Sequence, residues 1–185
     1  MIYENPPEEI LGILNYLKNQ NIPLQKIVIQ KISFFMKIFG FVLAYSFEPY
    51  KYGPFSEKLS EDLETLDVDK KIKINKTNVE LIDSSISDNL NGNAKTFIDL
   101  FDDMVAKNYD FDNMEIYGTV LYCIRSLYES SDPVTKETVL EQFIGWKGNR
   151  YSEARIYDSF EKIMNFENNW NKKIAKMQNL AILNN

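Results

Sequence analysis

Tyr50-Lys51-Tyr52-Gly53-Pro54-Phe55-Ser56 crowds three aromatic rings and a cation onto one tight turn. So short a turn cannot bury every ring, and tyrosine is enriched among the residues that anchor protein interfaces. Gly53-Pro54 must fold the chain back directly after Tyr52, so Tyr50 is expected to be partly exposed and Tyr52 mostly buried. The segment that follows, Ser56–Leu66, carries Glu57, Glu61, Asp62 and Glu64 against Lys58 alone. An acidic surface beside exposed aromatics selects a partner with a basic face. Tyr50, Lys51, Tyr52, Phe55, Glu57 and Glu61 are therefore the candidate protein-binding residues.

Two cationic groups suggest other chemistry. Lys70, Lys71, Lys73 and Lys76 decorate a pair of short alternating runs and suit contacts to a phosphate backbone. Lys147, Arg150 and Arg155 surround Gly145 and Gly148 just before Ser152, where the exposed N–H groups of a helix start would favour an anion. Catalytic arrangements are harder to find. Histidine is absent, which removes histidine-bound zinc, Ser-His-Asp and Cys-His chemistry together. The single cysteine, Cys123, falls inside an apolar periodic segment and reads as a small buried hydrophobe. Neither GxxxxGK[ST] nor GxGxxG occurs. The expectation is a non-enzymatic protein without metal or cofactor.

The elements that must hold these residues follow from periodicity. Pro6 to Asn19 reads as a helix, with Ile10, Leu11, Leu14 and Leu17 as its stripe and Pro23 beyond its end. Leu24–Phe39 is the most apolar helix, with Lys26, Gln30, Ser33 and Lys37 expected on one exposed edge and Gly40 as its stop. Phe41 to Glu48 alternates as an extended segment that Pro49 is expected to end. Ser56 caps the next helix, whose inner face is Leu59, Leu63 and Leu66. Ile72–Ile74 and Val79–Ile82 predict a β-hairpin, or wing. Helices are then expected over Ala94–Ala106, from an Asp112/Glu115 capping box to Tyr128, and from Thr135 to Ile144. A helix with Ile156, Phe160, Ile163 and Met164 is followed by a last short one bearing Met177, Leu180 and Ile182.

The fold class expected is mainly α (α+β). Residues 1–83 form a winged-helix-like part, 84–93 a polar linker, and 94–185 a helical domain or extension packed on the first. Leu24-Gln25-Lys26 at a helix start, the aromatic helix, Phe47, and Tyr50-x-Tyr52-Gly53-Pro54-Phe55-Ser56 together resemble the Panacea-type domain over about residues 8–82. That family includes bacterial antitoxins and proteolytic adaptors. The resemblance implies a winged-helix-like fold that works by protein contact, and it supplies no catalytic residues.

Composition narrows the partners. A 185-residue chain with 44% hydrophobic and 14% aromatic residues can bury a core, and its formal charge of −6 removes the broad footprint of a general nucleic-acid binder. The apolar run 27–47 contains Gln30, Lys31 and Lys37, which would cost about 2–3 kcal/mol each near a bilayer centre. Glu4, Glu8 and Glu9 stand where a cationic leader segment would be, and one cysteine suits a reducing compartment. The expectation is a soluble, cytoplasmic regulatory module of antitoxin or adaptor type, binding a protein partner, with a second copy of the chain as a further candidate. The alternative is a winged-helix transcriptional regulator touching DNA phosphates through the wing. The acidic Ser56–Leu66 helix, in the position of a recognition helix, would be repelled by them.

Overall fold

The computed structural model describes residues 6–82 and 90–183, with side chains over 8–82 and 90–176. Seven helices and two antiparallel hairpins occur among them. In chain order these are α1 (Pro6–Asn19), α2 (Lys26–Ile38), β1 (Glu48–Tyr50), β2 (Gly53–Phe55), α3 (Glu57–Val68), β3 (Ile72–Asn75), β4 (Asn78–Leu81), α4 (Gly92–Val105), α5 (Phe111–Ser130), α6 (Lys136–Lys147) and α7 (Glu153–Leu183). The chain is thus mainly α with a small β component. The linker expected at 84–93 lies outside the described residues up to position 89, and α4 begins at Gly92, capped by Asn91.

The two halves share one apolar core. Its middle is α2 packed against α5; α5 also meets β2, α6 and α7, while α4 lies against α2 and α7. Phe35 is fully buried at this junction, 4.9 Å from Phe101 and 6.2 Å from Phe166 between ring centroids. The lone cysteine faces the same core, where burial pushes its thiol up to about 12.

Several expectations are corrected. On α2, Lys37 is exposed and Lys26 partly so, but Gln30 and Ser33 are buried, as is Lys31. Gln30 can be buried because its amide pairs with both backbone groups of Ser56, donating to the carbonyl and accepting from the N–H at 2.9 Å each. Phe41–Phe47 keeps its alternation, with Leu43 and Tyr45 inward and Val42, Ala44 and Ser46 outward, but it joins no ladder. The ladder instead spans Pro49, which faces Pro54 between the pairs Glu48↔Phe55 and Tyr50↔Gly53. Two prolines can face each other at a register position that asks for no N–H. Asp110 rather than Asp112 caps α5, accepting from the Asn113 N–H at 2.7 Å. Finally, α7 is continuous through residues 177–183, where a separate short helix was expected, since neither glycine nor proline interrupts Glu153–Leu183.

The β3–β4 hairpin follows its sequence pattern, with Ile72, Val79 and Leu81 inward. It docks on the entry to α2, where the Val79 N–H donates to the Leu24 carbonyl at 2.7 Å and Lys26 N–H to Thr77 at 2.8 Å. Its turn, Lys76-Thr77, thereby comes to lie near the β1–β2 hairpin.

Candidate functional site

A groove of about 480 Å³ opens between the start of α2, the β1–β2 hairpin and the start of α5. Four rings, Tyr50, Tyr52, Phe55 and Phe111, line it beside aliphatic and polar side chains of α2 and α3. Tyr50 stacks on Phe55 at 5.2 Å, and Tyr52 meets Phe111 edge-on at 4.9 Å. Tyr50 is 61% exposed, Phe111 41% and Tyr52 37%. The partial exposure expected of Tyr50 is found. Tyr52 is more open than expected, because its ring leans outward onto Phe111, itself at the mouth of the groove. Ser60 and Leu63 of α3 complete one side, so the exposed Glu57 and Glu61 stand on a helix that lines the groove.

The hairpin that presents these rings is fastened from beneath through its own carbonyls. Lys147 Nζ donates to Lys51 O at 2.6 Å and to Tyr50 O at 3.3 Å. Lys31 Nζ donates to Pro54 O at 2.7 Å. Gly53 has φ +84°, and a side chain there would crowd Thr119 and Lys31, so glycine is required at this corner.

Lys31 is 2% exposed. Burial, reinforced by the nearby charge of Lys147, brings its amine down to about 7, while Glu115 opposes the shift. Room for its stem comes from Gly118, where an added Cβ would lie 2.6 Å from Lys31 Cδ.

Glu115, fully buried on α5, gathers the other charges. Lys147 Nζ lies 3.3 Å from Oε1, and Arg150 Nη1 lies 3.3 Å from Oε2. The Tyr151 hydroxyl donates toward both Glu115 Oε2 and Asp112 Oδ1, each at 3.1 Å, and burial with these carboxylates raises its pKa. Arg155 Nη2 donates to Asn113 Oδ1 at 2.8 Å, and Nη1 lies 3.9 Å from Asp112 Oδ2. The three cations expected to hold an anion at the α7 start thus have counter-charges from the chain itself. Their anions are Glu115 and Asp112.

No family model matches this chain, and the search of curated proteins found no match. What the site can do therefore rests on its geometry. Among the described residues no group of acidic, cysteine or histidine side chains is placed to hold a metal, and no helix is long and apolar enough to cross a membrane. Of the wing lysines, Lys70, Lys73 and Lys76 are exposed and Lys71 is half-buried.

Sequence reasoning finds Tyr50, Tyr52 and Phe55 but misses Phe111, Lys31, Glu115 and Tyr151. A lysine off the expected polar edge, within the largely apolar Ile27–Ile32 stretch, was the available signal for Lys31. Phe111 and Glu115 gave none, since the first precedes the expected helix start and the second read as a capping partner.

Proposed function

We propose that the protein is a non-enzymatic regulatory interaction module that receives a segment of a partner protein in the aromatic groove. The reading rests on one observation: three large rings, Tyr50, Tyr52 and Phe111, stay exposed around a groove whose hairpin wall is fixed by Lys31 and Lys147. Preorganised aromatic surface contributes most to affinity because little freedom is lost on binding. The segment it fits bears an apolar or aromatic anchor for the groove, flanked by a lysine or arginine facing Glu57 and Glu61. A winged-helix-like N-terminal half and an antitoxin- or adaptor-like role, in soluble form inside the cell, agree with the resemblance to Panacea-type domains.

Selection of a displayed random-peptide library on the full chain tests this. Enriched peptides should combine an aromatic with a basic residue. Tyr50→Ala should weaken them by about 2 kcal/mol or more while leaving the unfolding midpoint in place. Lys51→Glu should weaken them less, as a rim charge does. Unchanged binding to Tyr50→Ala would overturn the reading, and so would unfolding of that variant, which would assign the ring to the core.

A second reading, contact with DNA phosphates, is favoured by the exposure of Lys70, Lys73 and Lys76. Against it, the outer face of α3 presents Glu57, Glu61 and Glu64. Replacing Lys70, Lys71, Lys73 and Lys76 together by glutamine should leave the fold intact. Under this reading it also abolishes a gel shift at low salt, whereas Tyr50→Ala does not.

A further inference from the structure

A second concavity, on a different face, has walls that select for one kind of ligand. It lies between α1, the segment following α2, the start of α4 and the later part of α7, and measures about 540 Å³, within the usual range of small-molecule sites. Phe39, Phe41 and Trp170 form its aromatic wall, with Phe41 and Trp170 stacked at 5.6 Å. Val42, 68% exposed, stands at its rim. Among the described residues the formal charges that line it are carboxylates, those of Glu8 and Glu9. Glu9 is 7% exposed. A carboxylate that deep in an apolar wall is costly unless a cation reaches it.

We propose that this cavity binds an organic monocation with an apolar body, an arylalkylammonium, whose ammonium meets Glu9 while its ring lies against Phe41 and Trp170. An alkylammonium is the one partner that satisfies every wall at once. Its charge neutralises Glu9, its N–H donors fit a carboxylate, and ring faces attract cations and apolar groups alike. A neutral ligand would bring the carboxylate no compensating charge, and an anion would be repelled by it. Phe39 serves as apolar wall only, because the Arg125 guanidinium already lies 5.3 Å from its ring centre.

The groups facing Glu9 are few. Lys37 of α2 acts on it from a distance, with its Nζ given to the Leu43 carbonyl at 2.7 Å. The Ala44 N–H donates to its carboxylate, and Tyr45 lies close by with Asp62 of α3 behind it. Glu8 adjoins it on α1, while α4 and α7 bring neutral amides, Asn91, Asn93 and Asn171. Burial dominates these influences and pushes Glu9 up to about 7. A bound ammonium ionises it fully.

Calorimetric titration of the full chain with phenethylamine, beside phenethyl alcohol and hydrocinnamate, tests the assignment. Phenethylamine should bind in the millimolar range or tighter, and each of the other two more weakly by about tenfold or more. Its affinity should rise about tenfold from pH 6 to pH 8 as Glu9 ionises, since an alkylammonium keeps its proton throughout. Near pH 6 binding should release close to one proton, seen as heat that varies with the ionisation enthalpy of the buffer. That measurement needs no variant. Glu9→Gln, folded by circular dichroism, should lose both the binding and the proton release. Equal binding of the three probes, an affinity flat in pH, binding retained by Glu9→Gln, or no binding of phenethylamine at millimolar concentration would each overturn the proposal.

Discussion

Replacing Lys31 by methionine keeps most of the aliphatic stem that crosses Gly118 and removes the amine that holds the hairpin. The folded chain releases the Lys31 proton at about 7, whereas an unperturbed lysine does so at 10.5. Between those values the unfolded chain binds the proton and the folded chain does not. Wild-type stability must therefore gain from rising pH across this window, and Lys31 adds no slope below it. One unit of pKa corresponds to about 1.4 kcal/mol, and the folded amine is half protonated at the lower limit, so the gain between pH 7 and 9 is about 2 kcal/mol. Against this, methionine leaves the Pro54 carbonyl without its donor, a pH-independent loss of about 1–3 kcal/mol. The two effects separate cleanly in urea titrations followed by tryptophan fluorescence at several pH values. The upper limit stays below the range where burial-raised tyrosines such as Tyr45 and Tyr109 would begin to oppose the trend. The quantity to plot is wild-type minus Lys31→Met stability. It should climb by about 2 kcal/mol over the window. A difference flat to within a few tenths would show that Lys31 keeps its charge, and hence that the amine is hydrated rather than enclosed.

Glu9 has the opposite dependence. With a folded value of about 7 against 4.5, it stabilises the fold fully below the lower value and loses that contribution as pH rises through the upper one. Wild-type minus Glu9→Gln stability should fall by about 2 kcal/mol from pH 5 to 7 in the same assay. Glu115→Ala leaves Lys147 and Arg150 facing each other without their shared carboxylate and should cost about 3–5 kcal/mol, against under 1 if water replaces it. Phe35→Ala should cost about 3–5 kcal/mol through lost burial and a cavity among Phe101, Phe39 and Phe166, and a loss below 1 would place the ring outside the core.

Local periodicity carried much of this structure in plain view. The helices α1 and α3, the Ser56 cap and the β3–β4 hairpin are all written in residue spacings of three to four or of two, which act between near neighbours. The β1–β2 ladder was not visible, because Pro49 and Pro54 are strand breakers one at a time and compatible only as a facing pair. Burial of Gln30 and Lys31 was hidden for a related reason. Their partners, the backbone of Ser56 and the Pro54 carbonyl, come from another element, and no spacing within α2 announces them. The groove was half legible. Tyr50 and Phe55 declare themselves beside Gly53-Pro54, but Phe111 joins them only through the packing of α5 on α2 and β2. Glu115 was seen as a cap because it lies three positions after an aspartate, and only the tertiary fold sets Lys147 and Arg150 against it.

The close passage of Lys31 over Gly118 bears on how this chain can change by descent. A methyl group at position 118 would collide with a stem that is enclosed and tethered at its far end, so it cannot swing aside. Alanine at 118 is thus admissible only in a lineage that has already shortened residue 31, and a full-length lysine at 31 can return only where glycine has been kept. The order of the two substitutions matters, because one of the two single-step intermediates is blocked. Positions 31 and 118 should therefore vary as a linked pair among relatives. A sequence with lysine at the first and a larger residue at the second would have to route its hairpin differently.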